Sequence, residues 1–150
     1  MPHFTLDNSP QGPILNAVAT VSSARRVALE AAGLSIPDPV NIRALIDTGA
    51  SLTCLDSSVA LALQLNPTGS TRINTPSTGV DPAPADQYDI SLYIPTAIQG
   101  QHGLFLPALP VICVDGFLSS QNIHGLIGRD ILSLCIFYYN GTIGQFSLAF

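Results

Sequence analysis

At 150 residues the chain has the length of one domain, spanning 1–150, and enough material to bury a core without metal or disulfide support. Hydrophobic residues make up 47% and charged residues 10%, which excludes the charge-rich composition of disordered chains, and the sparse charge points to an exterior partly covered by a partner. The net charge of -5, with no basic cluster beyond Arg25-Arg26, excludes nucleic acid and anionic membrane surfaces as partners.

Residues 1–12 form an N-terminal arm with no basic or apolar leader pattern, so the expected location is cytoplasmic. No apolar run reaches the roughly 18 residues of a membrane span. Residues 13–21 (PILNAVATV) suit a strand bounded by Gly12 and Ser22-Ser23. A helix pattern follows over residues 22–33, with serine at the cap and Gly33 at the stop. Pro37 and Pro39 hold the next stretch extended, and Val40–Ile46 alternates as the strand that delivers Asp47. A carboxylate buried there without a cation would be costly, so Asp47 either caps a turn or performs chemistry.

Strand character resumes over residues 51–55, and Asp56 caps a short apolar helix at 57–65, closed by Asn66-Pro67. Residues 68–87 read as a polar, proline-rich, exposed excursion. Residues 88–94 alternate as a half-buried strand, and Leu104–Val114 reads as a strand pair or as one buried strand broken by proline. Near the end, residues 124–129 (HGLIGR) form a strand ending in glycine, 130–134 a short helix, and 136–139 a strand. Asn140-Gly141 marks a tight hairpin of the primed type with positive φ at both central residues. The last strand, TIGQFSLAF, is apolar and calls for pairing. The expected architecture is all-β with one or two short helices.

Cys54, Cys113 and Cys135 are odd in number, widely spaced and free of any CxxC, so they read as buried, inert thiols. His3, His102 and His124 share no ligand spacing, so no metal and no cofactor is expected. Ser51 is not in a nucleophile elbow, and no histidine lies near Cys54 in sequence. Asn140-Gly141-Thr142 matches a glycosylation sequon that its turn explains.

Asp47-Thr48-Gly49-Ala50 after an apolar strand, joined with Leu126-Ile127-Gly128-Arg129-Asp130 before a short helix, resembles the retropepsin-like aspartic proteases. The resemblance implies a closed acid-protease barrel, homodimeric, acting as an aspartic endopeptidase on peptide or protein substrates. Asp47 would be the catalytic carboxylate, Thr48, Gly49 and Ala50 the active-site turn, and residues 126–130 its structural support. Two aspartates sharing one proton supply the base and the acid that amide hydrolysis needs; aspartic proteases are the standard instance of such a pair. Only Asp47 sits in a D-T/S-G motif, so the second carboxylate must come from another copy. The apolar terminal strand resembles the one that retropepsins place in an intersubunit sheet.

Residues 73–88 fall where the family has its flap, with Thr75, Pro76, Ser77, Thr78 and Gly79 as substrate-covering residues. Three departures are visible. Ser51 stands where retroviral enzymes have the aspartate that pairs with the helix arginine, so Arg129 needs another partner: Asp130, Asp56 or a backbone carbonyl. The helical stretch 24–32 reads as an insertion in the early β-hairpin, which points to a cellular or bacterial member. Ala50 removes a hydroxyl that could bond the ionised pair, so activity should extend toward neutral pH. The alternatives are a catalytically silent retropepsin-like dimer that binds extended peptides by strand addition, and a monomeric β-barrel in which Asp47 only caps a turn.

Overall fold

A computed structural model describes residues 1–74, 81–96, 102–116 and 118–150. Ten strands and three short α-helices make up its described secondary structure. The first strand, β1 (His3–Asp7), is followed by β2 (Ile14–Val21), α1 (Ser23–Ala31), β3 (Val40–Ile46), β4 (Cys54–Asp56) and α2 (Ser57–Ala62). Next come β5 (Gly69–Ile73), β6 (Ala83–Ile94), β7 (Leu104–Val114), a 3-10 turn (Ser119–Gln121), β8 (Gly125–Ile127), α3 (Arg129–Leu132), β9 (Ile136–Asn140) and β10 (Gln145–Ala149).

Six strands close a barrel in the order β2-β3-β8-β4-β7-β6, with β2 pairing back onto β6 from Val18↔Tyr93 to Val21↔Ile90. The pairs β3–β8 and β4–β7 are parallel and the other neighbours antiparallel. Period-two patterning decides which side faces in: Leu15, Ala17, Ala19 and Val21 of β2 and Ile42, Ala44 and Ile46 of β3 are buried. Ile90, Leu92 and Ile94 of β6 and Ile127 of β8 complete the inner layer, fully enclosed. Each buried Leu, Ile or Val side chain among them contributes about 1.5–3 kcal/mol.

The insertion is a helix. Ser22 Oγ accepts from Arg25 N, Gly33 follows the last turn at φ +67°, and none of the residues of α1 is buried. It lies in the connection between the paired strands β2 and β3, tied to the rest by a 2.8 Å hydrogen bond from the Arg25 guanidinium to Gln64 O. Helix α2 is shorter than expected. Asp56 caps it by accepting from Ser58 N, but it stops at Ala62, and Gln64 turns the chain away at φ +50°. Val59, Ala60 and the following Leu63 face the core while Leu61 faces solvent, so only one side is a core helix.

Three expectations are corrected by the backbone. The 68–87 excursion is largely a hairpin, with β5 paired to β6 from Gly69↔Gln87 to Ile73↔Ala83. Pro84 is tolerated because β6 pairs β7 only from Gln87 onward, leaving its other side free of ladder bonds at that point. Leu104–Val114 is one continuous strand; its prolines precede the segment, from Ile112, that pairs with β4. At the third site the hairpin is not a two-residue primed turn. Asn140 pairs with Gln145 across four loop residues, its Oδ1 accepts from Thr142 N and Ile143 N, and the positive φ falls on Gly144.

The terminal strand is also paired differently from the expectation. Sheet order β1-β10-β9 puts β10 in the centre of a three-strand sheet made within one chain, from His3↔Ala149 to Asp7↔Gln145 on one side and Asn140↔Gln145 to Ile136↔Ala149 on the other. Phe4, Phe146 and Leu148 point into the barrel core, and Phe4 meets Phe146 edge-on at 6.4 Å. Arm and terminal strand therefore satisfy each other.

Candidate active site

Strand β3 ends where Asp47 N donates to Ile127 O at 3.0 Å, which anchors the entry to the turn on β8. Asp47 then turns the chain itself. Gly49 N donates to Asp47 Oδ1 at 2.9 Å and Ala50 N to Asp47 O at 3.2 Å, an Asx turn inside a backbone turn. A Cβ on residue 49 would stand 3.1 Å from Asp47 Oδ1, so glycine keeps the donor close to the carboxylate. Asp47 is half-buried, with Thr48 and Gly49 exposed, so in a single chain the carboxylate lies open at the rim rather than sealed in the core.

The second motif clasps the first. Arg129 N donates to Ala50 O at 2.9 Å, and the Arg129 guanidinium reaches Thr48 O at 3.1 Å and Ser51 Oγ at 2.8 Å. The partner of Arg129 is thus a backbone carbonyl, together with the serine that occupies the aspartate position; it is neither Asp130 nor Asp56. Asp56 instead accepts from Ser58 N and Ser119 N, and those hydrogen bonds, those from Ser58 foremost, hold its carboxyl below the usual value.

Beneath the turn lies a buried polar node, built on the expected Gly128 and Asp130 and on Thr53, which sequence reading missed. Thr53, fully enclosed, donates from N to Asp130 Oδ2 and from Oγ1 to Asp130 Oδ1, both at 2.8 Å, and its Oγ1 accepts from Gly128 N at 3.1 Å. Asp130 Oδ1 also accepts from Ile131 N. Gly128 is required by packing: a Cβ there would lie 2.6 Å from the Leu52 carbonyl carbon and 2.9 Å from Thr53 N. Threonine in an apolar strand reads as a β-former, so only its place six residues after Asp47 could have marked it.

Leu45, two residues before Asp47, joins a second apolar cluster. Leu45 pairs with Leu126, Leu126 with Cys54, and Cys54 with Ile112, forming one row across the barrel. Ile73 and Ala85 from the β5–β6 hairpin pack against that row. The hairpin arms therefore reach apolar side chains next to the aspartate turn, while Thr75, Pro76, Ser77, Thr78 and Gly79 lie outside the described residues.

Burial, first, and the nearby Cys113 push the Cys54 thiol up to about 12, and burial with Asp56 pushes Cys113 up to about 11. Both stay protonated at neutral pH, so neither serves as a nucleophile. Among the described residues no three His, Cys, Asp or Glu side chains gather as metal ligands would, and no helix is long and apolar enough to cross a membrane.

Comparison with known proteins agrees with this geometry. A family model described as aspartyl protease matches residues 32–131, which is 100 of the 150 residues and includes both motifs. No curated protein matches. Among solved structures, a retropepsin-like aspartic protease from Rickettsia conorii matches with a TM-score of 0.57 at 17% identity, covering 97% of this chain and 89% of that one. At that identity the likeness is one of fold. Together the aspartate turn, the clasp beneath it and the matched family model establish that the chain belongs to the aspartyl protease family, with a retropepsin-like fold.

Proposed function

We propose that the protein is an aspartic endopeptidase whose catalytic pair is Asp47 from two copies of the chain, related by a two-fold axis. The observation that carries this reading is that one chain supplies a single D-T-G, and its Asp47 carboxylate stands at an exposed rim, held by the Gly49 N–H, as half of a site would. In the dimer one Asp47 is ionised and takes a proton from water as the oxygen attacks the scissile carbonyl carbon. The other Asp47 is protonated and donates to the carbonyl oxygen. Collapse of the tetrahedral intermediate breaks the C–N bond: the Asp47 that took the proton from water passes it to the leaving nitrogen, a hydroxyl of the intermediate returns a proton to the other Asp47, and the products are a carboxyl group and an amine. No metal or cofactor takes part in these steps. Residues 73–88 act as the flap, and the row of Leu45, Leu126 and Ile112 beside the turn favours apolar side chains near the scissile bond.

The test is mass-spectrometric profiling of cleavage in a complex peptide mixture from pH about 3 to 7, comparing the wild type with Asp47→Asn. Cleavage by the wild type alone is expected, extending toward neutral pH because Ala50 offers no hydroxyl to the ionised pair. Equal cleavage by Asp47→Asn would sink the mechanism. A dimeric wild type that binds peptides and cleaves none would instead favour the silent peptide-binding module.

A further inference from the structure

The outer face of the barrel changes character along β3. Period two sends Ile42, Ala44 and Ile46 inward, so Asn41, Arg43 and Leu45 stand on the outer face, Leu45 two residues before Asp47. Strand β2 faces them pair by pair: Ile14 with Leu45, Asn16 with Arg43 and Val18 with Asn41. The first of these pairs belongs to the apolar cluster beside the aspartate turn, and the next two lie outside it. There the surface sinks into a depression of about 340 Å3, with Asn16, Val18, Asn41 and Arg43 at its corners and Pro95, just past the end of β6, also lining it. That volume takes one side chain or chain end rather than a large molecule.

We infer that this depression binds a single carboxylate of a peptide, on an acidic side chain or at a C-terminus, through the Arg43 guanidinium and the Asn16 and Asn41 amides, away from the Asp47 turn. Half-buried Arg43 is held at both its ends. Its backbone N donates to His124 Nδ1 at 3.1 Å, its backbone O accepts from His124 N at 2.7 Å, and its Nη1 donates to Asn122 O at 3.1 Å. Asn122 presents that carbonyl from a left-handed conformation at φ +55°. Among the described residues no carboxylate pairs with Arg43, so the rest of its planar fork of N–H donors is left for a ligand. Asn16 and Asn41 are exposed, and among the described residues their amides have no protein partner, so each can add an N–H to a carboxylate oxygen. One cation in a chain of net charge -5 suits a singly charged carboxylate better than a dianion. Arg43 lies about 13 Å along the strand from Asp47, so a substrate chain reaching both needs at least about four extended residues between them. The role of the depression as a substrate-holding exosite rests on the proposed peptidase; carboxylate binding by itself does not.

The experiment follows the Asn16 and Asn41 side-chain amides and the Arg43 Nε–H by proton–nitrogen correlation NMR in Asp47→Asn, so that added peptides stay intact. Three probes are titrated: N-acetylglutamate α-amide, whose carboxylate is on a side chain, N-acetylglutamine, whose carboxylate is a chain end, and N-acetylglutamine α-amide, which has none. At least one of the two acids is expected to shift all three signals and to bind roughly tenfold more tightly than the neutral amide, and the tighter acid identifies the source of the carboxylate. Binding of that acid is expected to weaken as salt rises from about 0.05 to 0.5 M, and Arg43→Gln is expected to abolish its advantage over the neutral amide. In an otherwise wild-type enzyme, a glutamate about four or more residues from the cleaved bond of a reporter peptide should lower KM severalfold against glutamine at unchanged kcat, and Arg43→Gln should remove that difference. Equal binding of all three probes, or titrations that leave the Asn16, Asn41 and Arg43 signals unmoved, would overturn the site without any change at Arg43 having to fold, and Asp47-dependent cleavage would then leave the protease reading intact. Carboxylate binding by a protein that cleaves nothing would support the site and remove only its exosite role.

Discussion

Replacing Thr53 by Val separates the hydrogen-bonding role of the buried node from its packing, because the two side chains have nearly the same shape. In Thr53→Val the Gly128 N–H loses its 3.1 Å acceptor inside the protein, which costs about 1–3 kcal/mol. Asp130 Oδ1 also loses the 2.8 Å hydroxyl, a charge-assisted bond of about 1.5–3 kcal/mol. The low ends apply to the carboxylate, since Ile131 N still donates to it. The total comes to about 3 kcal/mol, or a fall of roughly 6–12 °C in Tm for a chain of this size. Thr53→Ser keeps both hydrogen bonds and removes one buried methyl group, so it should cost only about 1 kcal/mol. Urea denaturation at one fixed protein concentration measures both, the concentration being held because association shifts apparent stability. If the serine variant proved less stable than the valine variant, Thr53 would matter for its volume and the polar clasp would be incidental.

Ser51→Asp places a carboxylate against the guanidinium that now reaches Ser51 Oγ at 2.8 Å, and because the pair is exposed the gain should be about 0.5–1 kcal/mol, fading in high salt, by the same denaturation assay. Asp56 has a folded-state pKa below its ordinary 3.8, so its contribution to stability is complete above that value and is lost as pH falls through the lower folded one. Asp56→Asn should therefore be less stable at neutral pH yet lose stability less steeply below about pH 4, measured as Tm against pH.

The aspartate turn and its support were legible because each is local: Val40–Ile46 alternates and stops at Asp47, and the I-G-R-D run sits where the turn needs a clasp. The α1 insertion was equally plain from Ser22 and Gly33 at its two ends. What escaped the sequence depends on residues far apart in it. The arm His3–Asp7 finds β10 some 140 positions on, and nothing in either segment names the other. Pro82 and Pro84 made a hairpin arm look like loop, because a sequence does not tell which side of a strand lacks a neighbour. At Asn140 the dipeptide preference was overridden by the Asx turn and by Gly144, which moved the left-handed residue to the end of a longer loop.

The pairing of the first strand with the last also sets the timing of biosynthesis. Phe4 completes its packing only against Phe146 and Phe150, and His3 finds its register only with Ala149. On a ribosome adding about 5–20 residues per second, the N-terminal strand waits on the order of 10 s for the strand that covers it. Until then one face of the barrel core stays open and β9 has no β10 beside it. The three-strand sheet of the nascent chain thus stays unfinished until Gln145–Ala149 has been made.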